Sequence, residues 1–186
     1  HGDDRRQRQM CIRDRSSRSG EDERFGLLVL RHGSSNINDI KLDDIKISEI
    51  YPTPSNSDNN HQGYGIRFES LNDDSVLNYY DGIEIENLDI SNTGHYGIHI
   101  VNRMSGAQPD YYHRNIVIKD SKFNNTGGSG IVLARCKDVL VENSEFKGSG
   151  SGNDNRMWNR GSSLWTYTCN DTVIQNNLFE DVYGPA

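Results

Sequence analysis

Arginine, histidine and tryptophan occupy one position of a short recurring motif, and all three residue types can do chemistry. The motif reads Gly65-Ile66-Arg67-Phe68, Gly97-Ile98-His99-Ile100, Gly130-Ile131-Val132-Leu133 and Ser163-Leu164-Trp165-Thr166. An arginine can hold a carboxylate or sulfate through two parallel hydrogen bonds. A histidine titrates near neutrality, which suits proton abstraction. A tryptophan offers a broad apolar ring face. One flanking position holds Tyr64, Tyr96, Ser129 and Ser162, and the other holds Glu69, Val101, Ala134 and Tyr167. Structural alternatives stay open at this level. His99 can be an exposed strand histidine, Trp165 an aromatic covering a loop, and Arg67 a partner for Glu69 or for a loop Asp.

For these side chains to share a face, short strands must stack in register. A second motif, apolar-x-apolar-x-(Asn/Asp)-x-x-apolar, supplies the stacking. Its five copies are Ile40 to Ile47, Ile83 to Ile90, Ile116 to Phe123, Val139 to Phe146 and Thr172 to Phe179. Alternation with period two is the strand signature. The fifth position is Asp44, Asn87, Asp120, Asn143 and Asn176, so Asn or Asp recurs in every copy. Stacked Asn and Asp side chains are expected to hydrogen-bond along such a ladder and to serve the bend. Cys136 aligns with Cys169, and Asp138 with Asp171. The copies start 43, 33, 23 and 33 residues apart, so the shortest spacing is one plain turn and longer ones carry insertions.

Composition agrees. Hydrophobic residues make up 33% of the 186-residue chain, fewer than a compact two-layer domain normally buries. A solenoid needs fewer, because each turn buries a thin line of side chains against its neighbours. The predicted fold is all-β, a parallel β-helix of about five turns.

Residues 5–15 match the in-frame translation of a transposon-type sequencing adapter, so residues 1–15 are expected to lie outside the fold. A polar lead-in covers 16–24, and the β-helix covers 25–186. Residues 1–15 carry five Arg against three Asp, a net of +2. The whole chain carries −7, so the remainder carries −9. An acidic chain argues against nucleic acid as partner. No apolar run approaches the ~18 residues of a membrane span, and no signal peptide is evident. The chain is expected to be a fragment that continues past Ala186, with further turns adding to the site.

Insertions gather on both sides of the Gly-apolar strand. Tyr51 to Gln62 and Gly148 to Arg160 precede it, while Leu71 to Tyr80 and Asn102 to Arg114 follow it. Loops raised on a rigid scaffold commonly carry function, so the outer face of this strand is predicted to be a groove floor. The opposing strand presents Lys46, Asp89, Lys122 and Glu145 outward, as an ordinary solvated face would.

On its repeat period and Asn/Asp ladder the chain resembles the right-handed parallel β-helix repeat proteins of the pectate-lyase-like superfamily, over about residues 25–186. These features specify fold strongly and activity weakly. The resemblance implies binding of a polysaccharide in the groove, by a secreted, periplasmic or cell-surface protein, expected as a monomer. The expected function is a polysaccharide lyase or glycoside hydrolase acting on an anionic glycan. The alternative is a non-catalytic β-helix for glycan binding or adhesion. A lyase would draw on His99, Arg67 and Tyr96. A hydrolase needs two carboxyl groups about 5 Å or more apart, and the floor offers Glu69. Sugar-binding candidates are Trp165, Tyr64, Tyr167, His61, His95, Arg156, Trp158 and Arg160. No cofactor is firmly implied. Asp58, Asp73, Asp74 and Asp154 are oxygen donors suited to Ca²⁺, but they form no Ca-loop pattern, and no zinc-site spacing occurs.

Overall fold

A computed structural model of the chain describes residues 10–13, 24–31, 37–50, 63–70, 79–102, 109–150 and 161–183. Five turns stack along one axis. They are β2 (Arg24–Arg31), β3 (Ile37–Asp43) and β4 (Ile45–Ile50); β5 (Gly63–Ser70), β6 (Tyr80–Glu86) and β7 (Asp89–Thr93); and β8 (Ile98–Asn102), β9 (His113–Lys119) and β10 (Lys122–Thr126). Then come β11 (Ile131–Ala134), β12 (Cys136–Glu142) and β13 (Glu145–Lys147), and last β14 (Leu164–Tyr167), β15 (Asn170–Gln175) and β16 (Leu178–Glu180). The first strands of the turns pair as β14-β11-β8-β5-β2, here the front sheet. The second strands pair as β15-β12-β9-β6-β3, the flank sheet, and the third as β4-β7-β10-β13-β16, the back sheet. All pairings are parallel.

The core is a set of vertical columns. Ile66, Ile98 and Ile131 form one, Ile85, Ile118 and Val141 another, and Ile47, Ile90, Phe123 and Phe146 a third, all buried. In-register β-branched residues fit because each turn presents the same pleated surface to the next. The Phe rings stack face to face, Phe123 on Phe146 at 4.8 Å and Phe146 on Phe179 at 5.0 Å between centroids.

The Asn/Asp position turns the chain from flank to back sheet. Asp44, Asn87, Asp120, Asn143 and Asn176 all take positive φ, between 51° and 54°. Asn and Asp tolerate this left-handed conformation better than other residues with a Cβ. Of the ladder side chains, Asn87 donates to Asp43 Oδ1 of the turn before at 2.9 Å, and other hydrogen bonds up the stack fall one residue later. Ser121 Oγ accepts from Leu88 N–H at 3.1 Å, Ser144 Oγ from Ser121 N–H at 3.2 Å, and Asn177 Oδ1 from Ser144 N–H at 2.9 Å. Besides the pair Arg135 and Thr168, two further left-handed columns, not anticipated from sequence, fall mostly inside the strands. One runs Asp39, Gly82, Asn115, Asp138 and Asp171, the other Glu49, Asn92, Asn125, Gly148 and Asp181.

A glycine column runs up the front sheet for steric reasons. A Cβ on Gly97 would lie 2.5 Å from the Gly130 carbonyl oxygen and 2.8 Å from Phe123 Cδ1. Gly97→Ala is therefore expected to destabilise the fold by about 1–3 kcal/mol through overpacking. Urea unfolding checks it, and an unchanged midpoint would contradict the steric reading.

One strand falls within the segment expected to lie outside the solenoid. β1 (Met10–Arg13) pairs in parallel with β4, Met10 opposite Ile45. An edge strand offers unpaired N–H and C=O groups that any extended segment can satisfy. This pairing needs no complementary sequence.

Candidate functional site

The front sheet carries the predicted site on its outer face. Register brings Leu28, Arg67, His99, Val132 and Trp165 into one row, and Leu30, Glu69, Val101, Ala134 and Tyr167 into the next. At the glycine column the alternation slips. Gly65 N–H and Ile66 N–H both donate to the next turn, to Tyr96 O at 2.9 Å and Gly97 O at 2.8 Å. Two residues then face inward in succession, and Tyr64 and Arg67 share the outer face.

Tyr64 is the hub of that face. Its ring stacks on Phe25 at 5.5 Å, His95 at 5.2 Å and His99 at 5.5 Å, and meets Tyr96 edge-on at 5.8 Å. The Arg67 guanidinium lies 4.7 Å from the Tyr64 ring centroid. Arg67 Nε also lies 2.9 Å from Glu69 Oε2. Arg67 is 2% exposed and Glu69 7%, so this ion pair is closed to solvent. Tyr64 and His95 are buried as well.

This corrects part of the sequence reading. Arg67, Glu69 and Tyr64 do occupy the outer face, but not as an open floor that a ligand can touch. Two charges removed from water pair with each other, because either alone would carry a large desolvation penalty. Of the candidates at this end, Tyr96 and His99 stay partly accessible, with rings 5.2 Å apart and edge-on.

At the other end of the sheet the rings lie on the last turn, where core-facing Phe179 is also 44% exposed, so exposure by itself does not single them out. Trp165 is 48% exposed and Tyr167 56%, with centroids 6.5 Å apart and planes at 67°. Val132 and Ala134 lie between them and the His99 strand. The sheet thus joins a sealed aromatic–ion knot to an aromatic platform, with His99 and Tyr96 on the rim between. His61, Arg156, Trp158 and Arg160 lie outside the described residues, as do Asp58, Asp73, Asp74 and Asp154. Among the described residues no three His, Cys, Asp or Glu side chains come together as a metal site.

The sequence reading missed the first copy of the front-strand motif, Gly26-Leu27-Leu28-Val29, which lies 39 residues before Gly65. It supplies Phe25 to the knot and exposed Leu28 and Leu30 to the floor. The Gly-apolar-x-apolar pattern was signal enough to find it.

Other faces are less suited to a ligand. The flank sheet has a hollow of about 570 Å³ lined by Lys41, Glu84, Asn115 and Lys119, among others, with no aromatic side chain. Its cations are committed: Lys119 lies 3.0 Å from Glu86, and Lys41 pairs with both Glu86 and Glu84. Hydrogen bonds from Lys41 and Lys119 hold the Glu86 carboxyl below its usual range. On the back sheet Lys46 meets Asp89 at 2.6 Å and Lys122 meets Glu145 at 3.3 Å, a self-neutralising surface.

Family comparison agrees with the architecture. The model of the right-handed β-helix region matches residues 32–186. The chain belongs to this right-handed parallel β-helix family. No curated protein and no solved structure matches it. Among the described residues no helix is long and apolar enough to cross a membrane.

Proposed function

We propose that this β-helix is carbohydrate-active and binds an extracellular polysaccharide across its front sheet. The observation that carries the reading is the outward Trp165–Tyr167 pair on the front sheet, with Trp165 in the same row as His99 and Tyr167 in the next. Strand steps of ~4.8 Å present contacts at a spacing comparable with the rise per residue of an extended glycan. Aromatic faces cover the apolar C–H surface of a sugar while its hydroxyls stay hydrated. A polymer too large to cross a membrane is met outside the cell or at its surface, which is the location proposed.

Arg67, the expected partner of a substrate carboxylate, is already engaged by Glu69. Binding therefore ranks ahead of cleavage for the described residues. A second reading, cleavage by elimination, draws support from His99, a potential base on the rim beside Tyr96. Hydrolysis would need a carboxyl pair, and Glu69 is the carboxylate that the front-sheet rows contribute.

Affinity electrophoresis through gels containing polygalacturonate, alginate or neutral xylan tests the binding. Trp165→Ala and Tyr167→Ala are each expected to weaken retention at least about tenfold, as central aromatic anchors do. Lys122→Ala on the back sheet should leave it unchanged. Wild-type retention by both aromatic variants would remove the proposal. Ultraviolet absorbance from unsaturated products would promote the elimination reading, and His99→Ala should then abolish it.

A further inference from the structure

We propose that Cys136 and Cys169 are an oxidisable thiol pair that joins the fourth turn to the fifth as a disulfide. The proposal is independent of any glycan.

The two residues stand in one column. Lys137 is opposite Asn170 in the β12–β15 pairing, and each cysteine immediately precedes its partner in that register. Each also follows a residue in left-handed conformation, Arg135 at φ 56° and Thr168 at φ 53°, so both leave the same bend in the same direction. In-register parallel neighbours lie ~4.8 Å apart, inside the ~4.4–6.8 Å Cα separation that disulfides span.

The side chains also converge. Cys136 Sγ lies 3.7 Å from the Ala134 carbonyl oxygen. Cys169 Sγ lies 3.5 Å from the carbonyl oxygen of Leu133, one turn below its own. With the Tyr167 carbonyl oxygen of its own turn at 3.6 Å, the Cys169 thiol sits between the fifth turn and the fourth, where Cys136 lies. Neither thiol is in a disulfide.

Their environments divide the labour. Cys136 is fully buried, and that burial pushes its thiol well above the usual range. Cys169 is part-exposed, and the hydrogen bond from Cys136 brings its thiol down to about 7. The thiolate is the nucleophile in disulfide exchange. The Cys169 thiolate therefore attacks a small disulfide such as oxidised glutathione, forming a mixed disulfide and expelling one glutathione thiolate. Cys136, losing its proton, then attacks Cys169 Sγ and expels the second. The protein loses two hydrogens, and one oxidised glutathione becomes two thiols.

The test uses the full chain carrying Cys11→Ser, equilibrated with oxidised glutathione, alkylated and digested. Mass spectrometry is expected to find the Cys136 and Cys169 peptides linked, with the chain two hydrogens lighter. The thermal midpoint should rise by about 5–10 °C on oxidation, because the crosslink closes a long loop. Adding Cys136→Ser should instead trap glutathione on Cys169, since the resolving thiol is gone. Free, alkylated Cys136 and Cys169 in an oxidised chain that circular dichroism shows to be folded would overturn the proposal. A bond that forms without raising the midpoint would overturn its joining role.

Discussion

Glu69→Ala is expected to destabilise the protein by about 3–5 kcal/mol, because it removes one partner of a buried ion pair. Arg67 and Glu69 sit in adjacent outward positions of β5 and meet at 2.9 Å. The guanidinium also lies over the Tyr64 ring, 4.7 Å from its centroid, and over the Phe25 ring at 5.7 Å. A cation–ring contact returns about 0.5–2 kcal/mol, less than the lost pair. The double variant Arg67→Met with Glu69→Leu separates a cost of breaking the pair from a need for the pair itself. Apolar replacements of similar volume are often neutral or stabilising. Urea unfolding should therefore order the chains as double variant near wild type and Glu69→Ala far below. If Glu69→Ala matched wild type, the pair would be reached by water, and Arg67 would return as a candidate for substrate carboxylates.

The second large effect is expected at Phe146. Its ring is buried between Phe123 and Phe179, so truncation opens a gap on both sides. Phe146→Ala should cost about 3–5 kcal/mol, from lost burial plus a cavity that stacked turns cannot close. In a solenoid each turn contacts only its neighbours, so the damage should be local. Amide hydrogen exchange should speed up first in β15 and β16, with β6 and β9 retaining protection. Uniform loss across all five turns would show a single cooperative unit instead. Phe146→Leu should recover most of the stability, since it refills much of the volume.

How much of this was legible in the sequence depends on the range of the interaction. The strand columns follow from period-two alternation and from Asn or Asp at every flank-to-back bend. A repeating sequence on a repeating backbone leaves one way to bury Ile66, Ile98 and Ile131 together. That logic also placed Arg67, His99 and Trp165 in one row, which the strand register reproduces. The glycine column was visible as a pattern, but its cause, a carbonyl 2.5 Å above each missing Cβ at Gly65 and Gly97, is a distance between turns.

The sequence by itself determined the repeat, the five-turn parallel helix and four of the five strands of the front face, because these rest on local alternation and fixed spacing. Only the tertiary structure decided which members of that face meet solvent. Arg67, Glu69 and His99 look equally available in a list of outward positions, yet the first two are buried and the third stays partly accessible. Burial and ion pairing depend on what packs over and beside a residue, and that is set by chain segments tens of residues away. The same holds for Cys136 and Cys169. Their alignment was readable, but the contact of one thiol with carbonyls of two turns exists only once the turns are stacked.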